Sequence, residues 1–118
     1  MECQVPAFPT PICYAVGAFP KRAESTLITS VTHKREAIFT DFISARLLID
    51  ELHAAQQANW ANTLAWVVMP DHLHWLVQLN ERTLADVVKR VKSNSSRKIN
   101  RQLRRSGTLW EDGFMIGQ

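Results

Sequence analysis

The chain has 118 residues, which fits one domain with a single hydrophobic core. Apolar residues make up 46% of it and charged residues 21%, a composition that is typical of a globular protein and excludes a disordered chain. The net charge is +3, and no apolar run approaches the roughly 18–20 residues needed to cross a bilayer, so we expect no membrane partner.

Residues 1–24 are predicted to form an irregular, proline-rich leader. Pro6, Pro9, Pro11 and Pro20 forbid a regular helix in this segment and confine any strand to the edge of a sheet. The segment starts without a basic cluster and is therefore a poor secretory signal. We accordingly expect a cytoplasmic protein.

A strand and an amphipathic helix are predicted next. Residues 26–33 are rich in β-branched side chains, which favour a strand. After a polar break, Thr40 or Asp41 can cap a helix by accepting a hydrogen bond from an early backbone N–H. This helix is expected to bury one stripe of apolar residues at three- and four-residue spacing, which consists of Ile43, Leu47, Leu48, Leu52 and Ala55.

The central part of the chain is predicted to form a hairpin of two strands. Residues 64–69 form a nearly continuous apolar run, which is typical of a buried strand. Pro70 and Asp71 supply the turn, and residues 72–79 form the second strand. Because side chains alternate across a strand, the odd-numbered positions form an apolar face. His72 and His74 point to the other face, where their imidazoles lie side by side.

A second helix is predicted from about Thr83 to Leu103, with Thr83 as its N-cap and Asp86 in its first turn. The segment from residue 89 to residue 105 carries eight basic residues and no acidic one. They are Lys89, Arg90, Lys92, Arg97, Lys98, Arg101, Arg104 and Arg105. Such a cluster is the electrostatic footprint of polyanion binding, although a solvated basic helix face would show the same pattern.

Residues 108–116 are expected to form a last strand, interrupted at Gly113. The order of elements is then strand, helix, two strands, helix and strand. This order predicts an α+β protein with the ferredoxin-like βαββαβ arrangement, in which two helices cover one face of an antiparallel sheet.

The histidine pair, His72 and His74, is a candidate metal site. Neutral imidazole is a common ligand of divalent metals, and two such ligands leave coordination positions open for a phosphate oxygen. The spacing alone is a weak signal, because a histidine on a strand is more often a hydrogen-bonded structural residue than a ligand.

Residues 65–77, which read AWVVMPDHLHWLV, resemble the signature of the REP-associated tyrosine transposases. These belong to the single-tyrosine HUH transposase superfamily, which is named for its His–hydrophobic–His motif. Two further segments look like parts of the same family in the same order. Residues 27–41 are similar to its first strand and the approach to its first helix, and residues 107–114 to its Gly-x-x-Trp-x-x-(Gly or Arg)-Phe segment. The resemblance covers about residues 25–116.

The resemblance implies a role in DNA transposition. Family members bind hairpin-forming DNA and cut or rejoin it as a single strand through a tyrosine, with Mg²⁺ or Mn²⁺ on the histidine pair polarising the scissile phosphate. It therefore implies that His72 and His74 are metal ligands. It also makes the eight basic residues of the second helix a candidate DNA-binding surface. Relatives include monomers and dimers, so a homodimer is one expected assembly.

The chain departs from the family at its nucleophile. The family's tyrosine lies on a helix after the Trp-containing segment, and this chain ends at Gln118. Its single tyrosine, Tyr14, matches no family motif. We therefore expect residues 25–118 to be a transposase-like HUH domain without the C-terminal tyrosine helix, with no catalytic residue assigned and no tyrosine-dependent cleavage. The alternatives are a non-catalytic module that binds hairpin DNA and a remnant without function.

Overall fold

The computed structural model describes residues 12–15, 25–80 and 82–117, with the backbone alone described for residues 12–15. Five strands, two α-helices and two short 3-10 helices (His33–Arg35 and Ile38–Thr40) follow one another along these residues. The strands are β1 (Ile12–Ala15), β2 (Thr26–Val31), β3 (Ala61–Met69), β4 (His72–Leu79) and β5 (Met115–Gly117), and the helices are α1 (Phe42–Gln57) and α2 (Leu84–Leu103).

The strands form one antiparallel sheet in the order β1–β3–β4–β2–β5. Without β1, this is the strand order of the ferredoxin-like arrangement, so the predicted βαββαβ fold is confirmed. The expectation of an irregular leader is wrong for Ile12–Ala15, which pair with β3 as an added edge strand. An edge position tolerates nearby prolines because only one side of the strand needs its N–H groups. The remainder of the leader lies outside the described residues.

Both helices begin where the capping residues predict. Asp41 accepts a hydrogen bond from the backbone N–H of Ser44 at 2.9 Å, at the first turn of α1. Thr83 accepts one from the backbone N–H of Asp86 at 3.2 Å, at the first turn of α2. Arg104, which caps the C-terminus of α2, adopts a left-handed conformation with φ 55°. No helix among the described residues is long and apolar enough to span a membrane.

The core lies between the helices and one face of the sheet. Trp66 and Trp75 are 2% and 1% exposed, and the indole N–H of Trp75 donates to Thr63 Oγ1 at 3.0 Å. Most of the predicted α1 stripe is confirmed, but Ile43 is wrong because it is 49% exposed. Ile43 lies in the first turn of α1, and the buried side of the helix instead includes Ala45 and Ile49.

The last segment is less regular than predicted. Trp110 forms an isolated bridge with Thr32, and a regular strand follows only at Met115–Gly117. Gly113 separates the two with φ +76°, a conformation that favours glycine. The buried indole N–H of Trp110 donates to Ser95 Oγ at 3.1 Å, which fastens this segment to α2.

Candidate metal centre and nucleic-acid interface

The histidine pair lies at the start of β4, in the centre of the sheet. His72 is opposite Met69 and Val31, and His74 is opposite Val67 and Thr29. Alternation along β4 puts both rings on the face away from the buried Trp75, and therefore away from the helices. The two ring centroids are 4.8 Å apart, with the rings at 79° to each other. The predicted juxtaposition of the two imidazoles is thus present in the fold.

A carboxylate fixes the ring of His72. Asp71 Oδ1 lies 2.7 Å from His72 Nδ1, and Asp71 Oδ2 accepts from Arg35 Nε at 3.0 Å. The hydrogen bond from His72 lowers the pKa of Asp71, and Arg35 adds to this against the opposing effect of burial. An ionised Asp71 can only accept hydrogen bonds, so Nδ1 of His72 carries the proton. In the neutral ring, Nε2 is then the nitrogen that is available to bind a metal.

A hydroxyl on the neighbouring strand holds the ring of His74. Thr29 Oγ1 lies 2.9 Å from His74 Nδ1, across the β2–β4 pair. Burial lowers the pKa of His74, and repulsion from His72 lowers it further. Both effects favour the neutral imidazole, which is the form that binds a metal.

This donor set fits a divalent metal. Metal-binding histidines usually have one ring nitrogen fixed by a carboxylate, hydroxyl or carbonyl so that the other points at the ion. His72 and His74 both have Nδ1 held in this way, by Asp71 and Thr29. Across residues 12–15, 25–80 and 82–117, no group of three or more His, Cys, Asp or Glu is placed to hold a metal. The pair would therefore supply two ligands and leave the other positions open.

A strained turn presents Arg35 to Asp71. Lys34 and Arg35 both have left-handed backbones, with φ 56° and 55°. The turn is braced by Thr32 Oγ1, which donates to the carbonyl of Glu36 at 2.7 Å, and by Glu111, whose carboxylate accepts from the N–H of Lys34 at 2.9 Å. Glu111 Oε2 also lies 3.4 Å from His33 Nδ1. Glu111 therefore stabilises this turn, and among the described residues it makes no contact with the histidine pair.

Apolar side chains surround the histidine pair on its face of the sheet. Leu27, Val67, Met69 and Leu76 share this face and are each partly exposed. Among the described elements, α1 and α2 both pack on the opposite face, in the cluster that contains Trp75. The histidine pair therefore opens onto a partly exposed apolar surface.

Five of the eight basic residues predicted to contact DNA are exposed and form no salt bridge with the described part of the chain: Lys89, Arg90, Arg97, Arg101 and Arg104. We call these five the basic row. They lie outside the buried stripe of α2, which contains Val87, Val91, Ser95 and Ile99. The row spans residues 89–104, so it extends roughly 22 Å along α2. It lies on the helical side, whereas the histidine pair lies on the other side of the sheet.

The other three basic residues are bound to groups within the protein. Lys92 Nζ donates to the carbonyls of Glu111 and Gly113, and burial lowers the pKa of Lys92. Lys98 Nζ contacts the buried Glu51 at 2.5 Å. The third, Arg105, donates to Asn100 Oδ1 at 2.8 Å and to Glu36 Oε1 at 3.0 Å. These three cations therefore stabilise the fold in addition to any role toward DNA.

Two further residues of interest, Trp60 and Arg82, were not identified from the sequence. Trp60 lies in the α1–β3 connection, and its ring centroid is 5.0 Å from Arg82 Cζ and 4.9 Å from Arg90 Cζ. We call Trp60, Arg82 and Arg90 the distal cluster. No local pattern links these positions, which the fold brings together from two connections and a helix. The only sequence signal is an arginine next to the N-cap of α2.

The family of the chain follows from a match over most of its length. The family model described as "Transposase IS200 like" matches residues 25–118, which is most of the chain. The chain belongs to the IS200-like transposase family. No protein with a curated functional description matches it.

Two solved structures share the fold. A candidate transposase from Deinococcus radiodurans R1 superimposes with a TM-score of 0.69 at 22% identity, over 89% of this chain and 85% of that one. A REP-associated tyrosine transposase bound to a REP hairpin superimposes with a TM-score of 0.62 at 13% identity, over 86% of this chain. The present chain covers 61% of that second protein. At these identities the likeness establishes the fold of the IS200-like chain and leaves its activity to be argued from its own residues.

Proposed function

We propose that this IS200-like chain binds hairpin or single-stranded DNA and places a phosphodiester at a metal held by His72 and His74. The observation that carries the proposal is the histidine pair itself. Its two rings lie 4.8 Å apart on one face, and each has Nδ1 held by a neighbouring side chain. The solved relative that is bound to a REP hairpin supports the choice of DNA.

The roles of the chain's own residues follow from their contacts. Asp71 and Thr29 orient the two imidazoles, and Arg35 holds Asp71 in place. A divalent ion, Mg²⁺ or Mn²⁺, supplies Lewis-acid polarisation of a phosphate oxygen when bound.

The basic row supplies the sequence-independent part of DNA affinity. Its five side chains are exposed and can each approach a phosphate, whereas Lys92, Lys98 and Arg105 contribute charge from fixed positions. Because the row and the histidine pair lie on different sides of the sheet, one DNA strand must pass around the edge of the molecule to contact both. Hairpin DNA with a single-stranded extension offers such a shape.

DNA binding is tested by fluorescence anisotropy with a labelled hairpin at increasing salt. For the double variant Arg97→Gln, Arg101→Gln we expect weaker binding and a shallower dependence of affinity on salt. The slope should decrease by about one for each phosphate that the variant no longer neutralises. Arg46→Gln, on the exposed side of α1, makes the same change of charge outside the row and is the control. An unchanged slope in the double variant would remove the basic row from the proposal.

No nucleophile is assigned. Backbone register places Tyr14 on β1 opposite Trp66, two strands away from β4. We propose that the chain binds DNA without tyrosine-dependent cleavage. The test is incubation with hairpin single-stranded DNA and Mn²⁺, followed by denaturing electrophoresis. A covalent adduct that disappears in Tyr14→Phe would overturn this part of the proposal.

Sedimentation of the same samples tests the expected homodimer.

A further inference from the structure

The distal cluster lies at the opposite end of the sheet from the histidine pair. Trp60 precedes β3, and the backbone N–H of Asn80, directly after β4, donates to the carbonyl of Trp60 at 3.2 Å. His74 and Leu79 are both on β4, and a strand rises about 3.3 Å per residue, so roughly 17 Å separates them. A phosphate bound at Trp60 is therefore too far away to contact a metal on the histidine pair as well.

The chemistry of the cluster is that of an anion site beside an aromatic ring. Arg82 and Arg90 come from different elements, with Cζ at 5.0 Å and 4.9 Å from the ring centroid of Trp60. A guanidinium packed on a ring keeps its charge and its outer N–H donors, which suit phosphate oxygens. Arg82 Nη1 donates to Asp86 Oδ2 at 2.8 Å on the exposed surface, where a phosphate can compete with the carboxylate.

A cavity of about 560 Å³ adjoins the cluster. It is lined by Ala58, Asn59, Trp60, Asn80 and Arg82. The Asn80 side-chain amide donates to the carbonyl of Asn59 at 2.8 Å, which joins the two connections that form the walls. An aromatic ring, amide groups and a guanidinium are the groups with which proteins contact an unstacked base and its phosphate.

We propose that the distal cluster binds one unpaired nucleotide of the DNA, with its phosphate on Arg82 and Arg90 and its base in the cavity beside Trp60. This inference rests on the proposed function of DNA binding. Arg90 also belongs to the basic row, so the cluster forms the far end of the surface along which the DNA backbone lies. The bound nucleotide is then a recognition element that is separate from the phosphate at the histidine pair.

The fluorescence of Trp60 provides a selective test. The chain has four tryptophans, and Trp66, Trp75 and Trp110 are 2%, 1% and 5% exposed, whereas Trp60 is partly exposed. A base that enters the cavity should quench Trp60 alone. We expect a hairpin with an unpaired extension to quench the wild-type protein and to leave Trp60→Phe unquenched. Persistent quenching in Trp60→Phe would overturn the proposal.

Affinity measurements test the arginines with a matched control. We expect Arg82→Gln to weaken binding of the extended hairpin by about tenfold and to affect a blunt duplex much less. Arg90→Gln also removes a charge of the basic row, so it should weaken binding of both DNAs, and that of the extended hairpin more. Arg46→Gln removes a similar exposed guanidinium, whose Cζ lies 5.9 Å from the ring centroid of Phe42, and should change neither affinity. Equal reductions in affinity for the extended hairpin and the blunt duplex would refute the unpaired nucleotide.

Failure of this inference can be told apart from failure of the proposed function. If the wild-type protein binds no DNA in the anisotropy assay, both the proposed function and the distal site are refuted. If it binds DNA, and the variants at Trp60, Arg82 and Arg90 bind the extended hairpin as tightly as the wild type does, only the distal site is refuted. Should Trp60→Phe fail to fold, the two exposed arginine variants still decide the question.

Discussion

Replacing Asp71 with asparagine should weaken metal binding by the histidine pair. Asp71 uses both carboxylate oxygens, one for His72 Nδ1 at 2.7 Å and one for Arg35 Nε at 3.0 Å. An asparagine side chain has a single oxygen, so its NH₂ group must face one of these two donors. Either the ring of His72 is left without its acceptor or Arg35 no longer holds the side chain at position 71.

The size of the effect follows from the role of such hydrogen bonds. Removal of a carboxylate that orients a metal-binding histidine reduces metal affinity by about 10–100-fold, which is roughly 1.4–2.7 kcal/mol. We expect the lower half of this range if the asparagine oxygen remains on His72. We expect the upper half if the amide turns its NH₂ group toward the ring.

Mn²⁺ titration followed by electron paramagnetic resonance or calorimetry measures this directly, without DNA and without turnover. His72→Ala removes a proposed ligand and shows how far metal affinity falls when a ligand is lost. Asp50→Asn, at an exposed position of α1, is the matched control for the change of charge. If Asp71→Asn bound Mn²⁺ within about threefold of the wild type while His72→Ala did not bind, Asp71 would have no orienting role.

Two predictions concern the stability of the fold. Ser95→Ala should lower the free energy of unfolding by about 1–3 kcal/mol, because it leaves the buried indole N–H of Trp110 without its acceptor. Lys98→Gln should lower it by about 1.5–3 kcal/mol, because it removes the charged partner of Glu51, a residue that is only 4% exposed. Urea denaturation measures both.

Each of these variants has a neighbour that serves as control. Ser93→Ala and Arg97→Gln make similar chemical changes at exposed positions of α2 and should leave the urea midpoint nearly unchanged. If Lys98→Gln were as stable as Arg97→Gln while DNA affinity fell, Lys98 would belong to the DNA-binding surface, and its ion pair with Glu51 would be unimportant for folding.

The regular elements and the histidine pair were predictable because their signals are local. Asp41 and Thr83 mark helix starts through their own side chains, and the common face of His72 and His74 follows from the alternation of β4. The hydroxyl of Thr29 could not be foreseen as a partner of His74. That hydrogen bond depends on how β2 aligns with β4, which is decided by packing between residues far apart in the sequence.

The charge pattern of α2 predicted a basic helix, but it did not predict which of the basic side chains bind groups within the protein. Lys92 and Lys98 have sequence surroundings like those of Arg97. Yet Lys92 donates to the backbone carbonyl of Glu111, and Lys98 forms an ion pair with the carboxylate of Glu51. Arg82 could not be recognised as a candidate because its neighbour in space, Trp60, is supplied by another connection. Residue identity alone does not reveal which cations will find partners in the folded chain.

The left-handed turn at Lys34 and Arg35 has a consequence for how the protein could evolve. A side chain other than glycine in this conformation costs roughly 1–2 kcal/mol, so selection for thermal stability alone would favour glycine at both positions. Glycine at position 34 would leave the guanidinium of Arg35 in contact with Asp71. At position 35 it would remove the group that holds Asp71. Glycine at position 34 would therefore raise stability and leave the proposed metal affinity unchanged, whereas glycine at position 35 would raise stability and lower the proposed metal affinity.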